Sequence, residues 1–170
     1  KAPAGPACPH RPPCGGCPRF GQPGLAPVTL AFLQALARQH GLPDAPVISG
    51  ATSGFRLRAR LAIRGRPGSP RIGLFEPGTH RVVHIPHCSI HHPLINRVAA
   101  VVRRALVDAE ITTYSEGGHR GIARYLQVVV ERSSQRAQVV LVANTASAEP
   151  LSACLELIRE RLGEDLHSLW

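Results

Sequence analysis

From Phe55 to Arg64 the chain alternates between apolar and basic residues with a period of two. Phe55, Leu57, Ala59, Leu61 and Ile63 fall on one side of an extended segment, and Arg56, Arg58, Arg60 and Arg64 fall on the other. Such a segment can only be a strand with one face in a core and the other face basic. A fully buried parallel strand would carry apolar residues on both sides. The neighbouring segments agree with an antiparallel sheet. The Pro/Gly turn RGRPGSP leads to a short strand around Arg71 to Phe75, and the turn EPGTH leads to another around Arg81 to Ile85. Two β-rich segments, 122–131 and 137–144, are joined by the polar link RSSQR and read as a hairpin.

Helical spacing appears three times. Val28, Phe32, Leu33 and Leu36 share a face between Pro27 and His40, with Gly41 and Pro43 as the stop. Pro93 opens a second helix, whose apolar face runs through Leu94, Val98, Val101, Val102, Ala105 and Leu106 to about Val107. A third spans 149–162 and ends at Gly163, and Leu166 to Trp170 can begin a last strand. The expected class is α+β, an antiparallel sheet with flanking helices. With 170 residues, 44% of them hydrophobic, the chain can bury an ordinary core.

Residues 1–24 have no apolar periodicity and much of the chain's Pro and Gly, so this segment cannot build its own core. It does hold Cys8, Cys14 and Cys17, spaced C-x5-C-x2-C, and a fourth cysteine, Cys88, follows in HIPHCSI. Three thiols on a flexible loop and one on a folded element can converge on one centre, and Gly15 and Gly16 let backbone amides approach the sulfurs. Metal binding would then order the loop, because binding free energy acts as folding free energy. Five cysteines is an odd number, and disulfides are rare in the cytoplasm, where this chain is expected to reside. Structural zinc stays open on spacing alone, although zinc sites usually pair two short knuckles. A radical-type cluster would want an open iron on three cysteines. Cys154 lies on the apolar stripe of the third helix and is expected in the core, and His84, His87, His91 and His92 are expected around Cys88 without ligating.

The charge points to a polyanion. The formal net charge is +9, and Lys1 is the sole lysine among 20 basic residues. The guanidinium fork matches phosphate, which places nucleic acid ahead of membrane. No apolar run of about 18 residues is present, so no membrane span is expected. Along a strand, residues i and i+2 lie about 6.6 to 6.8 Å apart, near the spacing of successive phosphates. Arg56, Arg58, Arg60 and Arg64 are therefore the candidate RNA-binding row. Asp and Glu are absent between Ala45 and Phe75.

The runs CPHRPPCGGC, GFRLRARLAI and RIGLFEPGTHRVVHIPHC together resemble the cluster-bearing part of bacterial RNA uracil-5 methyltransferases of the 23S rRNA type. The similarity continues more weakly through ARYLQVVVERSSQRAQVVLVANT to the end of the chain. It implies that Cys8, Cys14, Cys17 and Cys88 ligate a [4Fe-4S] cluster with a structural and RNA-positioning role. It also implies a division into a cluster-binding loop, 1–24, and an α+β central RNA-binding domain, 25–170, with ribosomal RNA as the expected partner. In that family a separate C-terminal domain binds S-adenosylmethionine and carries the catalytic residues. Nothing in this stretch corresponds to that domain, so no catalytic residue is assigned, and no protein partner can be inferred. The absence of Met and the end at Trp170 directly after an apolar stretch are what a piece of a longer protein would show. The segment after Cys17, PRFGQPGLAPVTLAFLQALARQHG, lacks the basic residues usual in the family's corresponding helix. Two rivals to this reading are a standalone iron-sulfur or zinc RNA-binding module and, more weakly, an electron carrier, which has no need of an arginine-striped strand.

Overall fold

The computed structural model describes residues 7–22 and 24–170, so Lys1 to Pro6 and Pro23 of the expected loop lie outside the described residues. Its sheet is organised around β1 (Arg58–Arg66), whose alternation sends Ala59, Leu61 and Ile63 into the core. β2 (Ser69–Phe75) and β4 (Ala123–Val130) flank it, both antiparallel. β3 (Val82–His84), β5 (Ala137–Ala143) and β6 (Leu166–Leu169) complete the order β3-β2-β1-β4-β5-β6. β6 departs from the antiparallel expectation, pairing parallel with β5. The chain between them passes through helix α3 (Ser152–Leu162), and a helical crossover returns a strand in the same direction.

Helix α2 (Pro93–Asp108) covers β2, β4 and β5 on one face of the sheet, and α3 packs beside it. Ile95, Val98, Val102 and Leu106 of α2 meet Leu61, Ile63, Leu126 and Val139 of the sheet in one core, each side chain worth about 1.5 to 3 kcal/mol of burial. The Cys154 thiol completes that core with Ile158 and Leu162, and burial pushes it up to about 11. No helix among the described residues is long and apolar enough to cross a membrane.

The opposite face of the sheet carries no helix of this unit. Cross-strand pairing places Arg58 beside Val129, Arg60 beside Gln127 and Ala62 beside Tyr125, all on that face. β1 starts three residues later than the alternation predicts, and Phe55 is half exposed. The backbone of Arg56 is taken instead by the segment after Cys88. Its N–H donates to the Ile90 carbonyl at 2.9 Å, and its carbonyl accepts from the His92 N–H at 2.9 Å.

By contacts, Ala7–Cys17 and Thr52–Trp170 form one compact unit, and the described residues of 18–51 belong to a second. That second unit contains α1 (Pro27–Gln39), where only Ala37 is buried among the described residues. Val28 and Phe32 of its expected apolar stripe are 77% and 64% exposed.

Candidate nucleic-acid interface and cysteine centre

The loop carrying the first three cysteines lies on the β2–β3 end of the sheet. Two backbone hydrogen bonds shape it, Arg11 N–H to Cys8 O at 3.2 Å and Cys14 N–H to His10 O at 2.8 Å. Glycine is required where it packs down. A Cβ on Gly16 would stand 2.7 Å from Leu74 Cδ1, and one on Gly15 would stand 2.6 Å from Pro77 Cγ. The Gly16 N–H also points to Cys14 Sγ, 3.5 Å away.

Cys8, Cys14, Cys17 and Cys88 are all free and half-buried. They are near enough to influence one another. Burial raises the Cys17 thiol pKa, Cys88 raises it further, Arg56 opposes this, and Cys14 and Cys8 add smaller increments. Asn96 holds the turn at Cys88 by donating to its carbonyl at 3.1 Å. Among the described residues no three His, Cys, Asp or Glu side chains form a group that could hold a metal ion. Cys17 lies within electrostatic reach of Cys88, Arg56, Cys14 and Cys8.

Two of the histidines flanking Cys88 in sequence are engaged by backbone. His92 caps α2, its ring Nδ1 accepting from the Leu94 N–H at 3.3 Å, and the His84 ring is held by the Ile72 backbone. His91 is buried, which lowers its pKa, and the Arg56 cation lowers it further.

The predicted row of four arginines divides three ways. Arg58 and Arg60 stand exposed on the open face of the sheet. Arg56 is half-buried beside the cysteines. Arg64 does not extend the row, because it is only 8% exposed. Its Nη1 donates to the carbonyls of Ile63 and Arg124, each at 2.8 Å, and its Nη2 is ion-paired with Glu116. The Arg124 carbonyl lies where the β4–β5 register shifts between Ala123 and Tyr125. The absence of carboxylates in 45–75 is real, but the neutralising one arrives from a loop after α2.

Around Arg64 the fold assembles a cluster that strand alternation does not announce. Its guanidinium lies 5.2 Å from the ring centres of both Tyr114 and Tyr125 and 5.4 Å from that of Phe75. Arg60 lies 4.7 Å over Tyr125, and Arg124 lies 4.3 Å over Tyr114. Tyr114 and Tyr125 are the only tyrosines in the chain, and that scarcity was the one signal the sequence offered.

A solved structure shares this fold. It is the tRNA (uracil-54, C5)-methyltransferase of Pyrococcus abyssi in complex with S-adenosyl-L-homocysteine, with a TM-score of 0.60 and 21% identity over 82% of this chain and 34% of that one. In sequence, the chain is 35% identical to an uncharacterized RNA methyltransferase of Protochlamydia amoebophila over 96% of its own length, and 30% identical to one of Geobacter sulfurreducens over 82%. It is also 32% identical over 59% of its length to the 23S rRNA uracil-C5 methyltransferase RlmD of Pectobacterium carotovorum. The chain spans 43%, 30% and 24% of these three relatives, respectively. No family model matches it.

Proposed function

We propose that this chain is the cluster-bearing, RNA-holding portion of an S-adenosylmethionine-dependent RNA uracil-5-methyltransferase acting on ribosomal RNA. The observation that carries this reading is the similarity to RNA methyltransferases through nearly the whole chain, including the stretch that holds the four free cysteines. Cys8, Cys14, Cys17 and Cys88 would hold a [4Fe-4S] cluster, which when bound supplies a covalent tie between the N-terminal loop and the sheet. Arg56 offsets part of its negative charge. Arg58 and Arg60 hold phosphates on the open face of the sheet, and methyl transfer belongs to a part of the protein outside this stretch.

Anaerobic purification with iron and sulfide analysis, followed by RNA binding over a salt series, tests both halves. The expected content is about four irons and four sulfides per chain. The Arg58→Ala/Arg60→Ala double variant is expected to flatten the dependence of log K on log salt by about 0.7 per arginine on single-stranded RNA. Colourless protein with one zinc would overturn the cluster. An unchanged slope in a folded double variant would overturn the arginine contacts.

A further inference from the structure

The open face of the sheet carries a groove built from three adjoining cavities. At one end Phe75, His80, Glu116 and Tyr125 line a space of about 510 Å³. His80 and Glu116 also border the next, of about 730 Å³, where Arg64, Arg66, Arg71 and Arg81 converge. Arg71 and Arg81 in turn border the third, which reaches His84 and Pro13 of the cysteine loop. All of these residues belong to the same compact unit.

The two ends differ in chemistry. The first is aromatic: Phe75 meets the edge of the His80 ring at 82° with centres 6.4 Å apart, and the half-exposed Tyr125 ring carries the exposed Arg60 guanidinium at 4.7 Å and the buried Arg64 guanidinium at 5.2 Å, of which the exposed Arg60 can give way to a base. The middle is basic. Its two carboxylates are both engaged, Glu116 by Arg64 and Glu76 of the neighbouring turn by Arg81 at 2.5 Å. Arg66 and Arg71 are exposed and have no carboxylate partner among the described residues. Flat aromatic surface beside uncompensated guanidinium groups fits a chain that alternates bases and phosphates. Only a strand with unpaired bases can use the aromatic end, because a duplex hides the faces of its bases.

We infer that this groove binds a single-stranded RNA segment, with one unpaired base stacked at Tyr125 and Phe75 and the adjoining phosphates on Arg66 and Arg71, running toward the cysteine loop. The inference rests on the RNA-binding reading above and adds a base-binding pocket at the end of the sheet away from Arg58.

The test uses the 170-residue chain and a fluorescent single-stranded RNA of about 12 nucleotides, a length within the range such sites cover, alongside the same sequence as a duplex. Tyr125→Leu is expected to weaken single-strand binding about tenfold, as loss of one stacked base does, and to leave duplex binding unchanged. Tyr125→Phe, which keeps the ring, is expected to restore it. Arg66→Gln/Arg71→Gln, at side chains without carboxylate partners, is expected to lower the salt slope by about 1.4. Photocrosslinking with a 5-iodouridine RNA should map to Tyr125 or Phe75. If Tyr125→Leu melts like the wild type and binds both RNAs as it does, or if crosslinks map only to the Arg58 end, the pocket is wrong while RNA binding stands. Wild-type protein that binds neither RNA would remove both readings together.

Discussion

Arg64 on β1 is ion-paired with Glu116, 52 residues further along the chain, beneath the rings of Tyr114 and Tyr125. Thr113 ties the same loop to β1, its hydroxyl donating to the Gly65 carbonyl at 2.7 Å. The pair is therefore a clasp between the central strand and the loop that walls the groove. Removing one partner strands buried polar groups, so Arg64→Ala is expected to cost about 2 kcal/mol, or roughly 4 to 8 °C in melting temperature. Arg58→Ala, on the exposed face, is expected to stay within about 0.5 kcal/mol of the wild type. Equal melting temperatures for the two variants would show that the clasp contributes nothing.

The cysteines separate by environment. Cys88→Ala is expected to abolish iron loading and to make residues 7–17 protease-sensitive, since that loop has no core of its own. Cys154→Ala is expected to keep the iron, and to lower stability through the cavity it leaves beside Ile158. Iron analysis and limited proteolysis of both variants decide this, and the reverse pattern would overturn the ligand assignment.

Glu131 closes the β4–β5 hairpin. Its carboxylate accepts from the Ser133 N–H at 2.9 Å, the Ser134 N–H at 2.6 Å and the Ser133 hydroxyl at 2.7 Å, and these bonds hold its pKa down to about 2 from an ordinary 4.5. A depressed folded pKa means that the contribution is complete above the ordinary value and is lost as pH falls from about 4.5 through about 2. Carbon-detected NMR should place the Glu131 midpoint near 2. In Glu131→Gln, stability should fall less steeply over that window. A midpoint near 4.5 would mean that the serine bonds do not form in solution.

Gly73 of β2 pairs with His84 of β3. A Cβ there would stand 1.8 Å from the Val83 carbonyl oxygen, and backbone cannot yield to it cheaply. Gly73→Ala is expected to detach β3 and to loosen the groove wall at Val82. Hydrogen exchange should show lost protection in 82–84 while 123–130 keeps its own. Unchanged exchange in 82–84 would show that β3 tolerates the side chain.

Sequence periodicity alone was enough to locate most elements. Strands β2, β4 and β5 and helices α2 and α3 fall within a few residues of where alternation and helical spacing put them, because each buries its own apolar set on one face. Alternation likewise determined that Ala59, Leu61 and Ile63 face the core and that Arg58 and Arg60 do not. The start of β1 was not legible, since residues 90–92 capture the Arg56 backbone through bonds between segments distant in sequence. Only the tertiary structure decided what each arginine of the row does. Alternation assigns a face of the sheet, but whether a cation on that face meets water, a thiol or a carboxylate depends on which loop lies over it. Arg58 is left open, Arg56 is brought to Cys17, and Arg64 is buried by Glu116 and two tyrosines from segments about 50 and 60 residues away. The groove follows from the same cause, because its walls come from the β2–β3 turn and the 112–121 loop, and no local pattern in either records that they meet.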